Sequence, residues 1–239
     1  TLDGCVWSAT TGAGWITILP PLSHTNSGSF SYALAQNPTA IARTGTVTVA
    51  DQTFTIAQSG AACTFALATN SAAHGAGIET NSVGVTTLVG CVWNVVNTNA
   101  WIEILSNASA TNSGTATYRV LANPTALARA GTFSIAGIEF SVTQTGAACT
   151  FALAPSGASY GFATTNGSVA VTTLVGCSWS VSNGVAWITV TPPLDHTNSG
   201  MVNYTVAENT TALPRNTVLR IAEHDYNISQ AGAGCAYSL

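Results

Sequence analysis

Six cysteines, four histidines, nine carboxylates and one Gly-x-Ser-x-Gly stretch are the residues of this 239-residue chain with types suited to chemistry. The stretch is Gly157-Ala158-Ser159-Tyr160-Gly161. A nucleophile elbow of that form needs a strand-to-helix turn and a partnered His and acid, and no helical pattern follows it. His24 and His196 occupy equivalent segments, Pro20-Pro21-Leu22-Ser23-His24 and Pro192-Pro193-Leu194-Asp195-His196, with Ala110 at the matching place between them. Metal binding needs several clustered ligands, and these histidines read as solvated loop residues. The carboxylates are scattered about one per loop with no recurring pair, so the paired acids of a glycosidase are not expected. The sequence therefore predicts no catalytic residue, no metal site and no cofactor. What remains is sulfur chemistry, and its spacing is regular.

Cys5, Cys91 and Cys177 are 86 residues apart, as are Cys63, Cys149 and Cys235. The same step links Trp7, Trp93 and Trp179; Trp15, Trp101 and Trp187; Tyr32, Tyr118 and Tyr204; Arg43, Arg129 and Arg215; and Gln58, Gln144 and Gln230. A gapless period of this length means three copies of one unit the size of a small β-sandwich. Within a unit, apolar residues alternate with period two. In the last copy, seven strands are predicted: 150–153 with its continuation, 168–173, 177–181, 186–191, 201–207, 217–221 and 226–230. Turn signals such as Asn166-Gly167, Asn183-Gly184 and Asn198-Ser199-Gly200 separate them. The fold class is all-β, a tandem array of seven-stranded Ig-like sandwiches of about 86 residues each.

Two symmetric cysteine pairings fit the period. One joins Cys63 to Cys91 and Cys149 to Cys177, leaving Cys5 and Cys235; the other joins Cys5 to Cys63, Cys91 to Cys149 and Cys177 to Cys235. If strands run alternately up and down, the cysteines opening the first and third strands share one end of the sandwich. The cysteine after the seventh lies a strand length away, roughly 17 to 23 Å. A disulfide needs Cα atoms within about 7 Å, so the first pairing is selected. Each bridge is expected to stabilise its copy by about 3 to 4 kcal/mol in the chain-entropy account.

These residues resemble the bacterial BACON domains, Ig-like modules of extracellular proteins proposed to bind carbohydrate or mucin. The pattern here is Gly-Cys-x-Trp (Gly4 to Trp7, Gly90 to Trp93, Gly176 to Trp179), Trp-Ile-x-Ile/Val, Tyr-x-Val/Leu-x-x-Asn, Arg-x-Gly-Thr and Phe-x-Val/Ile-x-Gln. In the last copy, Thr217 replaces Gly45 and Gly131, and Tyr226 replaces Phe54 and Phe140. The resemblance spans essentially the whole chain and implies an extracellular or cell-surface location with glycans as candidate partners.

The expected division is 1–62, a domain lacking its first two strands; 63–148; 149–234; and 235–239, the first strand of a further domain or one donated to a neighbouring subunit. Cys5 and Cys235 are then candidates for an intermolecular disulfide. Strand addition at an exposed sheet edge is a recognised mode of association. Trp7, Trp93 and Trp179 read as core beside the cysteines. Trp15, Trp101 and Trp187 point opposite to the Ile16-type residues, either under a loop or outward, where an indole could stack on a sugar. Asn107, Asn166, Asn203, Asn209 and Asn227 match the N-glycosylation pattern. With 5 cations, all arginine, against 9 acids, the chain cannot build the basic stripe nucleic acid demands. No apolar run reaches the roughly 18 residues of a membrane-spanning helix. The leading expectation is a non-catalytic structural array forming a fibre, filament or stalk, with copies of itself as partner. The alternatives are a carbohydrate-binding array and a spacer attached to an enzyme outside this segment.

Overall fold

The computed structural model describes residues 3–235. Every regular element among them is a β-strand. By contacts the chain forms two compact units: one runs to Ala72 and adds Thr80–Arg119 and Thr132–Ser141, and the other takes Ala73–Glu79, Val120–Gly131 and everything from Val142.

The last copy lies wholly in the second unit and shows the complete sandwich. One sheet orders Ala152–Ala154, Thr165–Thr172, Gly200–Val206 and Ile188–Val190; the other orders Gly157–Tyr160, His224–Gln230, Arg215–Ile221, Ser178–Ser182 and Asp195–Thr197. Period-two alternation places Trp179 and Val181 inward from one strand and Val202, Tyr204 and Val206 from another. With Leu219, Ile221, Tyr226 and Ile228 they form one buried cluster.

Two features differ from the seven-strand expectation. The first strand is broken after Ala154 into a piece in each sheet, and Pro155, which has no N–H to continue a ladder, falls at the break. A further short strand, Asp195–Thr197, pairs antiparallel with the tryptophan strand in the stretch read as loop. It is three polar residues long, too short to show a hydrophobic alternation.

The first copy, in the first unit, keeps the Ser23–Thr25, Val6–Thr11, Arg43–Val49 and Gln52–Gln58 sheet and a two-stranded Ile16–Leu19/Ser31–Leu34 sheet. Its buried apolar cluster reduces to Ala9, Ile16, Val47 and Ile56. From the middle copy, the first unit holds Val92–Val96 paired with Ser109–Thr111, and the Tyr118, Phe133 and Phe140 rings, 5.2 to 5.8 Å apart by centroid.

The hairpin preceding each last strand turns on two residues of positive φ: Ala50-Asp51, Ala136-Gly137 and Ala222-Glu223. Such turns match the right-handed twist of the strands they join. Five of these six residues carry a Cβ, which the sandwich tolerates because long ladders on both sides fix the turn.

Candidate assembly interface

Each Gly-Cys-x-Trp segment is clasped by one asparagine. Gly4, Gly90 and Gly176 have φ of +84, +92 and +94, the left-handed region open to glycine. Their N–H groups donate to Oδ1 of Asn26, Asn112 and Asn198 at 2.7, 2.8 and 2.7 Å. The carbonyls of the same asparagines accept from Nε1 of Trp7, Trp93 and Trp179 at 2.7, 2.8 and 2.8 Å. The indoles thus have their polar edge satisfied while the ring packs inward.

The short extra strand sets an imidazole on the indole: His24 stacks on Trp7 at 4.5 Å and His196 on Trp179 at 4.2 Å. These histidines are half-buried ring partners, unlike the solvated loop residues expected from sequence. A cavity of about 450 Å³ beside the last pair is lined by Phe151, Trp179, Asp195, His196 and Glu223.

The two disulfides are Cys63–Cys91 and Cys149–Cys177, each with Cα atoms 5.6 Å apart and a sequence separation of 28. Cys91 and Cys177 are fully buried, whereas Cys5 and Cys235 are free and exposed.

At the opposite end, an arginine closes each sandwich. Arg43, Arg129 and Arg215 donate through Nε to Gln58, Gln144 and Gln230, each at 2.8 Å. Through Nη2 they reach the carbonyls of Ala35, Leu121 and Ala207 at 2.7 to 2.8 Å. The guanidinium carbons of Arg43 and Arg215 lie 4.4 and 4.3 Å from the ring centroids of Trp15 and Trp187. Those indole faces, the candidate sugar platforms, carry a cation; Trp101 is half-buried.

Beside the arginine closure lies a corner built on the asparagine of the Tyr-x-Val/Leu-x-x-Asn pattern. Asn37, Asn123 and Asn209 are buried. Each Nδ2 donates to two carbonyls, those of Ile41 and Ser59, Leu127 and Thr145, and Leu213 and Ala231. A polar side chain this buried must be fully paired, and here it shapes the loop that follows it. Asn209 is therefore removed from the accessible glycosylation positions, because both hydrogens of its amide are engaged. Asn107, Asn166, Asn203 and Asn227 are exposed.

The loop tip makes the joint to the next repeat. Ala40 N–H donates to the Val89 carbonyl and Ala126 N–H to the Val175 carbonyl, both at 2.8 Å. Ile41 lies over Gly90 and Leu127 over Gly176 so closely that a Cβ on either glycine would meet them at 2.5 and 2.6 Å.

The first copy lacks part of its cover. Tyr32, Leu34 and Phe54 are 38, 40 and 51% exposed; their counterparts Tyr204, Val206 and Tyr226 are at most 1%, and Tyr118, Val120 and Phe140 are at 0%. In the last copy the difference is made by Thr165–Thr172, antiparallel to Gly200–Val206 over seven registered pairs, and by Gly157–Tyr160, parallel to His224–Gln230. Ser159, of the Gly-x-Ser-x-Gly stretch, is thus mid-strand, its Oγ 2.7 Å from that of Ser229. Among the described residues no three His, Cys, Asp or Glu side chains gather as a metal site. No helix there is long and apolar enough to cross a membrane.

The chain is a tandem array of Ig-like β-sandwiches. The BACON family model, described as "Putative binding domain, N-terminal", matches residues 6–59 and 178–231. The two matched segments lie two sequence periods apart. No curated protein matches the chain. Among solved structures it is similar to the I9-I11 tandem from titin, at 10% identity with TM-score 0.27 over 97% of this chain and 89% of that one. It is also similar to titin I67-I69, as an E-to-A variant at 7% identity and TM-score 0.44, and as the I-band fragment at 6% and 0.43, each covering 97% of this chain and 88% of the other.

Proposed function

We propose that the chain is a non-catalytic, extracellular structural array that extends by adding further copies of itself, as a fibre, filament or surface stalk, with repeats at 1–62, 63–148 and 149–234. The observation that carries this reading is the contact that recurs at the 86-residue step, Ala40 N–H to the Val89 carbonyl and Ala126 N–H to the Val175 carbonyl, both at 2.8 Å, since a unit that meets each successor in the same way can be repeated along a line. Residues 236–239, of the segment read as the first strand of a further domain or one donated to a neighbouring subunit, lie outside the described residues. Two disulfides suit an oxidising compartment. Electron microscopy and sedimentation of the purified chain over a concentration series test the reading: end-to-end assemblies are expected, and discrete compact monomers throughout would overturn it.

A second reading, glycan binding, is favoured by one observation, the cavity where the Trp179–His196 shelf meets Asp195 and Glu223. An aromatic ring beside carboxylate acceptors suits a sugar's apolar face and hydroxyls. A glycan array should give hits that Asp195→Ala removes; an array without hits would discard it.

A further inference from the structure

We propose that the cavity of the last copy selects sugars bearing a free ammonium group, with Asp195 and Glu223 taking the cation and the rings of Phe151, Trp179 and His196 walling the sugar's apolar face. The inference rests on the glycan reading of that cavity and names the class of sugar it takes.

The cavity holds about 450 Å³, within the range of small-molecule sites, and its walls are of two kinds. One is aromatic: His196 stacks on Trp179 at 4.2 Å, and Phe151 packs on the core cluster. The other is acidic. Asp195 opens the short strand Asp195–Thr197 and stands in register with Ser180 of the tryptophan strand. From the far side of that strand, Ala222 N–H donates to the Ser180 carbonyl at 3.0 Å. Glu223 follows at once, at a φ of +63 in the hairpin turn. Asp195, Ser180 and Ala222 thus stand in a row across three strands, each step being a strand spacing of about 4.8 Å. Two elements far apart in sequence bring their carboxylates to one rim.

The charge at that rim is uncompensated. Among the described residues no arginine lines the cavity, and the chain has no lysine. Arg220, on the same hairpin, is engaged by Asp225 at 2.6 Å. Glu79 and Glu103 are likewise held, by His74 and Arg119. Asp195 and Glu223 have no hydrogen bond or ion pair among the described residues. A sugar carboxylate entering here meets like charge. A neutral sugar meets acceptors only, whereas an ammonium gains charge-assisted hydrogen bonds roughly twice as strong as neutral ones.

The repeat shows that the sandwich does not need these residues. At the places of Asp195, His196 and Glu223 the middle copy has Ser109, Ala110 and Gly137. It nevertheless keeps the pairing of Trp93 with Ala110 and the positive-φ turn at Ala136-Gly137. The acids are additions to a scaffold that forms without them, and the middle copy's residues supply substitutions compatible with the fold.

The test is calorimetric titration of the 239-residue chain with a β-1,4-linked glucosamine tetrasaccharide, its N-acetylated counterpart and a galacturonic acid tetrasaccharide. The amino sugar should bind about tenfold more tightly than the N-acetylated one, and the uronate should not bind. Added salt should weaken the amino sugar selectively, since the charges at the rim are exposed. Asp195→Ser with Glu223→Gly should bring the amino sugar down to the level of the N-acetylated one and leave the latter unchanged. Glu139→Gln, which removes an exposed charge from the middle copy, should alter neither. Equal binding of the charged and neutral sugars, tighter binding of the uronate, or an amino-sugar preference that survives the double substitution would overturn the charge selection and leave the glycan reading standing. Silence from all three sugars would overturn the selection as well, and a blank glycan array besides would overturn the reading beneath it.

Discussion

The first and last copies share a sequence pattern and differ in burial, which separates what a residue type specifies from what its neighbours supply. Tyr204 and Tyr226 are sealed, while Tyr32 and Phe54 stand 38 and 51% exposed. Cys177 is buried in a bridge and Cys5 is an exposed thiol. The features that do not differ are local ones: the Asn clasp on Gly4 and Gly176, the His-on-Trp stack and the Arg–Gln closure. The two-residue hairpin turn is shared as well. Each depends on partners within its own copy. The core depends on a segment that the last copy has as residues 150–172 and the first copy does not have within this chain.

The largest expected effect follows from that contrast. Tyr226→Ala should destabilise the last copy by about 3–5 kcal/mol, as for other buried aromatic truncations. Phe54→Ala should cost the first copy under about 1 kcal/mol, because half of its ring is already in water. Hydrogen exchange read separately on Arg215–Ile221 and Arg43–Val49 measures both. Equal losses would show that the first copy is as well packed as the last. If a peptide with the sequence of residues 149–173 covers the first copy, Phe54→Ala should become costly in its presence.

The bridges give the next effect. Cys149→Ser should cost the last copy about 2–4 kcal/mol by lengthening the loops available to the unfolded chain. Cys5→Ser should leave the isolated chain's stability unchanged, since that thiol is free and exposed. Denaturant midpoints, followed by the same exchange probes, check the pair; a large loss in Cys5→Ser would mean that the thiol is engaged.

Much of this was legible in the sequence for a physical reason. A sandwich repeated without insertions keeps cysteines, tryptophans and the strand alternation in one register, and strand parity then distinguishes the ends of the sandwich. The Asn37, Asn123 and Asn209 corner was not legible, because a buried asparagine is written no differently from an exposed one. Its signals were its place in the Tyr-x-Val/Leu-x-x-Asn pattern and its recurrence at the 86-residue step, beside Pro38 and Pro124 and four residues before Ile41, Leu127 and Leu213. The His–Trp stack was hidden by the brevity of Ser23–Thr25 and Asp195–Thr197. Exposure of the first copy's sheet was legible from the repeat, since residues 1–62 carry no counterpart of residues 150–172.

The alkaline limb sharpens the comparison within the core. Burial, then the hydrogen bonds shared with Tyr160 and Tyr226 at 2.8 and 3.2 Å, push the Tyr204 hydroxyl far above its ordinary value of 10.0. A raised folded value gives stability that is complete below the unfolded pKa and falls as pH rises beyond it, here by about 1.4 kcal/mol per pH unit above pH ~10. The last copy should lose exchange protection between pH 10 and 11.5, and Tyr204→Phe should flatten that limb.

The smallest effect comes from the position equivalent to Tyr160, where the middle copy has His74. Its Nδ1 lies 2.9 Å from Glu79 Oε2, and Gly75 N–H donates to the other carboxylate oxygen at 2.8 Å. The His74 hydrogen bond, then that of Gly75, holds the Glu79 carboxyl below its ordinary value of 4.5. A lowered folded value gives stability that is present above the unfolded pKa and lost as pH falls through the folded one, opposite in sign to the tyrosine limb. Exchange at Thr145, whose N–H donates to the His74 carbonyl at 3.0 Å, should therefore speed up below pH ~4.5 in the parent chain, and Glu79→Gln should remove that acid limb without altering the alkaline one. An acid limb that survives the substitution would place its origin in another carboxylate. The same strand position would then seal the middle copy by packing alone, with no titrating partner needed where the last copy uses a phenol.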